Sequence, residues 1–184
     1  MTSNGYLRKC APGGDAITVQ WGMATQGGDN WLRDGLLTGV VGAVATTAVI
    51  AAFGKAKSDS AWTPFNDVAH MLFGDKAVNP EGFVPRETLA GLGLNASAVV
   101  TWGALYERVA GRIPFPESLL AGTAASGLIY LLDYHVFPDR LKPNFEKRLG
   151  PEAVLAAYIA LGIALGLSPL WESGRAPGGE AGDE

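Results

Sequence analysis

The stretch GLLTGVVGAVATTAVIAAFG, residues 35–54, holds about 20 residues without a charge, enough at 1.5 Å per residue to span a hydrocarbon core of roughly 30 Å. A surface helix of a soluble bundle would carry a polar face at a period of 3.6 residues, and this stretch has no charged face at all. In a bilayer every face must be apolar or paired, so this composition reads as a membrane span.

Three further blocks repeat the pattern. Thr88 to Tyr106 is closed by Glu87 on one side and Glu107-Arg108 on the other. Ser118 to Phe137 contains one carboxylate, Asp133, and stops at Pro138. Ala153 to Trp171 is uncharged, opens after Pro151, and has Glu152 where the helix dipole favours an anion. The expectation is an all-α membrane four-helix bundle over residues 32–171, with spans at 35–54, 88–106, 118–137 and 153–171. The loop from Arg108 to Glu117 is tight and holds Gly111, Pro114 and Pro116, which predicts an antiparallel hairpin of spans two and three.

Between the first two spans, Ala61-Trp62, Phe65, Val68-Ala69 and Leu72-Phe73 recur at roughly helical spacing, with Asn66, Asp67, His70 and Asp75 on other sides. The segment is too short and polar to span. It reads as a short amphipathic helix at the interface or on the bundle end, with Trp62 as an aromatic anchor. Residues 1–31 read as a flexible Gly-rich tail with no signal-peptide apolar core, and Met23 stands as an alternative start. Residues 172–184 read as a disordered acidic tail.

Glycine is abundant at 25 residues, and much of it lies inside apolar runs, as is common in membrane helices. A net charge of −4 with no basic stripe argues against nucleic-acid binding. The single cysteine, Cys10, can form neither an intramolecular disulfide nor a cysteine-rich metal site. Four spans put both tails on one side with Arg33, Arg108, Arg112 and Arg175. The long loops share the other side with Lys55, Lys57, Arg86, Arg140, Lys142, Lys147 and Arg148. The positive-inside rule then places the long loops in the cytoplasm and the termini outside, in the periplasm if the membrane is a bacterial inner membrane.

Small residues recur at four-residue spacing, as in Gly35 and Gly39, Gly162 and Gly166, and Ala156, Ala160 and Ala164. They let backbones approach closely, either within the bundle or on an oligomer face. Asp133 lies roughly 6 Å inside the end of its span. It reads either as a proton or cation site or as a hydrated carboxylate paired to Arg140 or a neighbouring span. Asn95 sits roughly 12 Å deep on the same side, positioned to meet the third span near Tyr130 or Asp133. His135 and His70 belong to that side too, but neither shows the i, i+3 or i+4 spacing of a metal site. Glu107 is expected among headgroups beside Arg108. A proton relay from Asp133 to Glu107 would need linkers such as Thr101, Thr123 and Ser126. No phosphate-binding loop, nucleophile elbow or His-Glu-x-x-His pattern occurs, so the sequence calls for no catalysis and no cofactor.

Several stretches together resemble a group of small bacterial four-span membrane proteins without a settled function, some bearing transporter-like names. They are Trp31-Leu32-Arg33-Asp34; Pro64-Phe65-Asn66 with His70-Met71-Leu72-Phe73-Gly74-Asp75; Ala96-Ser97 with Trp102-Gly103-Ala104-Leu105-Tyr106-Glu107; and Asp133-Tyr134, Pro138, Arg140-Leu141, Pro143 and Phe145-Glu146-Lys147-Arg148-Leu149. The resemblance covers roughly Trp31 to Trp171 and implies a four-span fold in a bacterial inner membrane. Relatives of this kind often carry a His-His pair where this chain has Leu94-Asn95 and an Arg where it has His135, departures that weaken a shared metal site.

Three functional readings follow. The first is an accessory or scaffold subunit acting through helix–helix contacts, with the lipid bilayer, a second copy or a larger membrane complex as partner. The second is a small transporter or channel component centred on Asp133. The third is an intramembrane metal or cofactor site using His70, Asp133 and His135.

Overall fold

A computed structural model describes residues 31–74 and 81–171. The two tails, the Met23 start, Asp75 and Arg175 lie outside the described residues. All regular structure among the described residues is helical. α1 (Trp31–Ser58) begins ahead of the uncharged block, with Asp34 in its first turn and Lys55 and Lys57 in its last, each complementing the helix dipole. α4 (Pro85–Ala110) opens on Pro85 and ends with Arg108. These two helices are long and apolar enough to cross a membrane. The third block forms α5 (Glu117–Leu131), continued by a π turn, Leu132–Val136. The fourth forms α7 (Pro151–Gly166), continued by a 3-10 turn, Ser168–Leu170.

Contacts between backbones set the helix order. A side chain at Gly103 would begin 2.5 Å from the Gly39 Cα, and one at Gly35 would begin 2.6 Å from the Ala104 Cα, so α4 lies directly on α1. Likewise a side chain at Gly122 would begin 2.5 Å from the Gly162 carbonyl oxygen, which seats α5 on α7. The α1–α7 seam closes with Leu161 and Ala164 against Gly42. The four helices therefore run in the order α4, α1, α7, α5. α4 and α5 follow each other through a short turn yet do not pack as the expected hairpin. They meet at the turn end, where the Tyr106 hydroxyl donates to the Ser118 carbonyl at 3.3 Å, and part toward the other end. Each has its complementary small-residue face turned to a different neighbour.

The far end is closed by α2 (Thr63–Val68), α3 (His70–Phe73) and α6 (Phe145–Leu149). α2 presses on α4 where Gly91 leaves room for the Phe65 carbonyl. Phe65 and Phe145 meet edge to face at 6.4 Å, in one core with Ile50, Leu149 and Val154. The segment read as amphipathic is thus two short helices packed on the bundle end. Its polarity differs from the expectation: Asn66 and His70 are buried, whereas Trp62 and Leu72 are exposed. Asn66 turns inward because it binds both Thr88 and the Gly82 carbonyl.

Burial across the long helices does not separate polar from apolar side chains. Thr38, Thr46, Ser118, Ser126 and Glu107 are inside, while Val44, Leu120, Leu128, Leu155 and Ile159 face out. Only 33% of the most apolar window of α1 and 22% of that of α4 is buried. Replacing Gly103 by Val puts a branched side chain into backbone and is expected to cost about 1–3 kcal/mol or more. Gly93, on the same helix, has no atom within 4 Å of where a side chain would begin, so Gly93→Val serves as the tolerated control. Thermal unfolding in detergent checks this; equal midpoints for the two variants would exclude the glycine seam as a packing determinant.

Candidate functional site

The parting of α4 and α5 leaves a cavity of about 430 Å³. Leu94 to Trp102 of α4 form one wall, and Ile129 to Phe137 of α5 and its π turn form the other. Thr46 and Ile50 of α1 and Val154 to Leu161 of α7 make the floor. Val68, Phe145 and Leu149 of the end-closing helices shut the loop-side end.

Asp133 is half-buried in the second position of the π turn and, among the described residues, is the only charged one lining the cavity. A π turn inserts one residue more than an α-helical turn and is frequent at functional sites. This one is held by the Phe137 N–H donating to the Leu132 carbonyl at 2.9 Å, just before Pro138 ends the helix. The Asp133 carboxylate accepts the Tyr158 hydroxyl at 2.7 Å, and Trp102 lines the cavity with it. No Lys, Arg or His among the described residues pairs with it, Arg140 included. Rings crowd around it: Tyr158 lies edge-on to Tyr130 at 5.4 Å and to Tyr134 at 6.2 Å. The Tyr134 hydroxyl and Glu146 Oε2 are buried neighbours without a hydrogen bond of ordinary geometry between them.

The other sequence candidates scatter around this centre. Asn95 lines the cavity, but its amide donates to Thr47 Oγ1 on α1 at 3.3 Å rather than reaching α5, because α4 lies on α1. His135 is exposed and edge-on to Tyr130 at 5.6 Å. His70 is buried in the end-closing layer, its Nδ1 2.6 Å from the Asp67 carbonyl and its Nε2 3.3 Å from the Asn144 amide. The Asp67 carbonyl can only accept, so Nδ1 is the donor in that contact. Both ring nitrogens of His70 are therefore engaged, and no three His, Cys, Asp or Glu side chains gather as metal ligands among the described residues. His70, Asp133 and His135 are thus not brought together as one ligand set among the described residues. Gly35, Gly39, Gly162 and Gly166 all face neighbouring helices of the same chain.

Glu107 is buried, not among headgroups. It accepts Thr38 Oγ1 at 3.0 Å, and the Trp171 indole reaches the same hydroxyl at 3.4 Å, so both described chain ends meet at this side. The linkers of a relay to Asp133 are otherwise engaged: Thr101 and Thr123 bond carbonyls four residues back on their own helices, and Ser126 bonds the Tyr158 carbonyl.

Sequence reasoning missed Tyr158 and Trp102. A signal for Tyr158 was present: it lies five residues into the fourth block and Asp133 four residues before the end of the third, counted from the same side, so the two share a depth. Matched against protein families, curated proteins and solved structures, the chain shows no match to any of them.

The layer that closes the cavity is tied by Arg148 and Asp67 through two hydrogen bonds, one of 3.0 Å from Nη2. The neighbouring carboxylate holds the guanidinium even further above its ordinary range. Both side chains are mostly buried, so Asp67→Asn is expected to lower stability by about 1–3 kcal/mol. A double-mutant cycle with Arg148→Gln checks it, and additive losses would exclude the pair as a tie.

Proposed function

We propose that the protein is a four-span integral membrane protein that holds a small molecule with an apolar body in the cavity beside Asp133, as the binding element of a small transporter component. The observation that carries this reading is the cavity itself: an apolar recess between two helices that part, containing one carboxylate that no cation among the described residues neutralises. Its volume falls in the range of ligand sites. The membrane setting is supported by the many outward-facing Leu, Ile and Val side chains on all four long helices, together with Gly, Ser and Thr at the helix seams. With the π turn, the third helical stretch reaches from Glu117 to Val136, and with the 3-10 turn the fourth reaches from Pro151 to Leu170. Each is then about 30 Å long. The bacterial inner membrane, with cytoplasmic long loops, follows from the resemblance and the charge asymmetry set out above.

A second reading, the accessory or scaffold subunit, is favoured by one observation. Gly93, Ser97 and Thr101 lie at four-residue spacing on the exposed side of α4, where small residues would admit another helix.

Two measurements test these proposals. In intact cells Cys10 is expected to react with a membrane-impermeant maleimide, and Lys142→Cys in a Cys10→Ser background only after permeabilisation. Labelling of both from one side would end the four-span topology. Native mass analysis of protein extracted in mild detergent is expected to show a retained small molecule that Ala98→Trp, which fills the cavity from an exposed position, removes. A bare protomer, or an adduct indifferent to Ala98→Trp, would end the ligand reading. Co-migrating polypeptides would instead support the accessory subunit.

A further inference from the structure

We infer that the cavity selects lipophilic organic cations, a conclusion that rests on the ligand reading above and names the ligand's class. Three observations converge. First, Asp133 supplies a carboxylate whose hydrogen-bond partner is a neutral donor, the Tyr158 hydroxyl, and no cation among the described residues pairs with it, so its attraction for a cation is not spent on an ion pair there. Second, Trp102, Tyr134 and Tyr158 line the same cavity, and the negative faces of aromatic rings attract ammonium-type groups. Third, every other lining residue is uncharged, with Leu, Val, Ile, Ala and Phe forming most of the walls.

The same residues discriminate among cations. A metal ion finds a single carboxylate, because no three His, Cys, Asp or Glu side chains gather as ligands among the described residues. A zwitterionic phospholipid headgroup would bring a phosphate, and no Lys or Arg lines the cavity to receive it. An organic cation satisfies both features at once, placing its charge against Asp133 and its apolar body against the walls. The opening between α4 and α5 gives such a molecule a route from the lipid phase.

The test uses the full chain in lipid-free detergent and measures binding of tetraphenylphosphonium and of its neutral analogue triphenylphosphine oxide by equilibrium dialysis. Wild-type protein is expected to bind the cation saturably, one per chain, and the neutral analogue at least about tenfold more weakly. Asp133→Asn is expected to abolish that preference and Asp133→Glu to keep it. Trp102→Leu, which leaves the carboxylate in place, is expected to weaken the cation alone by about threefold to tenfold. Equal binding of both compounds, lost together in Ala98→Trp, would overturn the charge selectivity and leave the ligand reading standing. Cation binding indifferent to both Asp133→Asn and Ala98→Trp, or no saturable binding at all, would overturn both. In nanodiscs, displacement of the cation by phosphatidylethanolamine but not by phosphatidylglycerol would identify the lipid headgroup as the occupant and overturn the assignment to a free cation.

Discussion

Backbone laid on backbone, at Gly39 against Gly103 and at Gly122 against Gly162, is the constraint from which the remaining architecture follows. Helices in such contact gain dispersion energy along their whole crossing, which matters most where no water drives apolar groups together. Both seams join helices that are not consecutive through a short turn: α1 pairs with α4 across the end-closing layer, and α5 with α7 across the Phe137–Gly150 connection. The short turn from α4 to α5 therefore connects two pairs rather than forming one. The gap between α4 and α5 is the geometric remainder of those two preferred contacts.

That remainder is where the polar chemistry of the site collects. Helices in close contact leave space only for hydroxyls that bond to backbone, as Ser118 does to the Gly166 carbonyl and Ser126 to the Tyr158 carbonyl. A carboxylate with three flanking rings needs more room, and Asp133 finds it where α5 gives way to a π turn and the α5–α7 seam ends. The end-closing layer keeps this room from the loop side: Val68, Phe145 and Leu149 fill its roof, and Arg148 with Asp67 holds the roof together. Packing, local helix geometry and loop chemistry thus meet at one place.

The apolar runs were legible because each is long, uncharged and bounded by Pro, Glu or Arg, and the helices sit where those runs are. Asp133 was legible as a carboxylate inside such a run. Its partner was not, because Tyr158 stands 25 residues away on another helix and only the α5–α7 seam brings the two together. Helix order was hidden for a related reason. Gly35, Gly39, Gly162 and Gly166 announce close contact but not with what, and the matching Gly103 and Gly122 carry no mark of their partners. Glu107 looked like a headgroup residue because Arg108 follows it, yet Thr38 and Trp171, distant in sequence, enclose it. Asn66 and His70 were assigned to a wet face by their polarity, and intrachain hydrogen bonds reversed that. The π turn left no pattern in the sequence that distinguishes it from regular helix.

The pairing of non-neighbouring helices also orders events during synthesis. α1 can meet α4 as soon as α4 is made, so the first seam closes early. α5 then emerges with its small-residue face and Asp133 uncovered, and it stays so until α7, the last long helix of the described chain, delivers Gly162 and Tyr158 together. An unfinished chain therefore differs from a finished one by an unshielded carboxylate in an apolar setting, a costly feature until its hydroxyl donor arrives. Arrival of α7 and neutral pairing of that carboxylate are therefore one event.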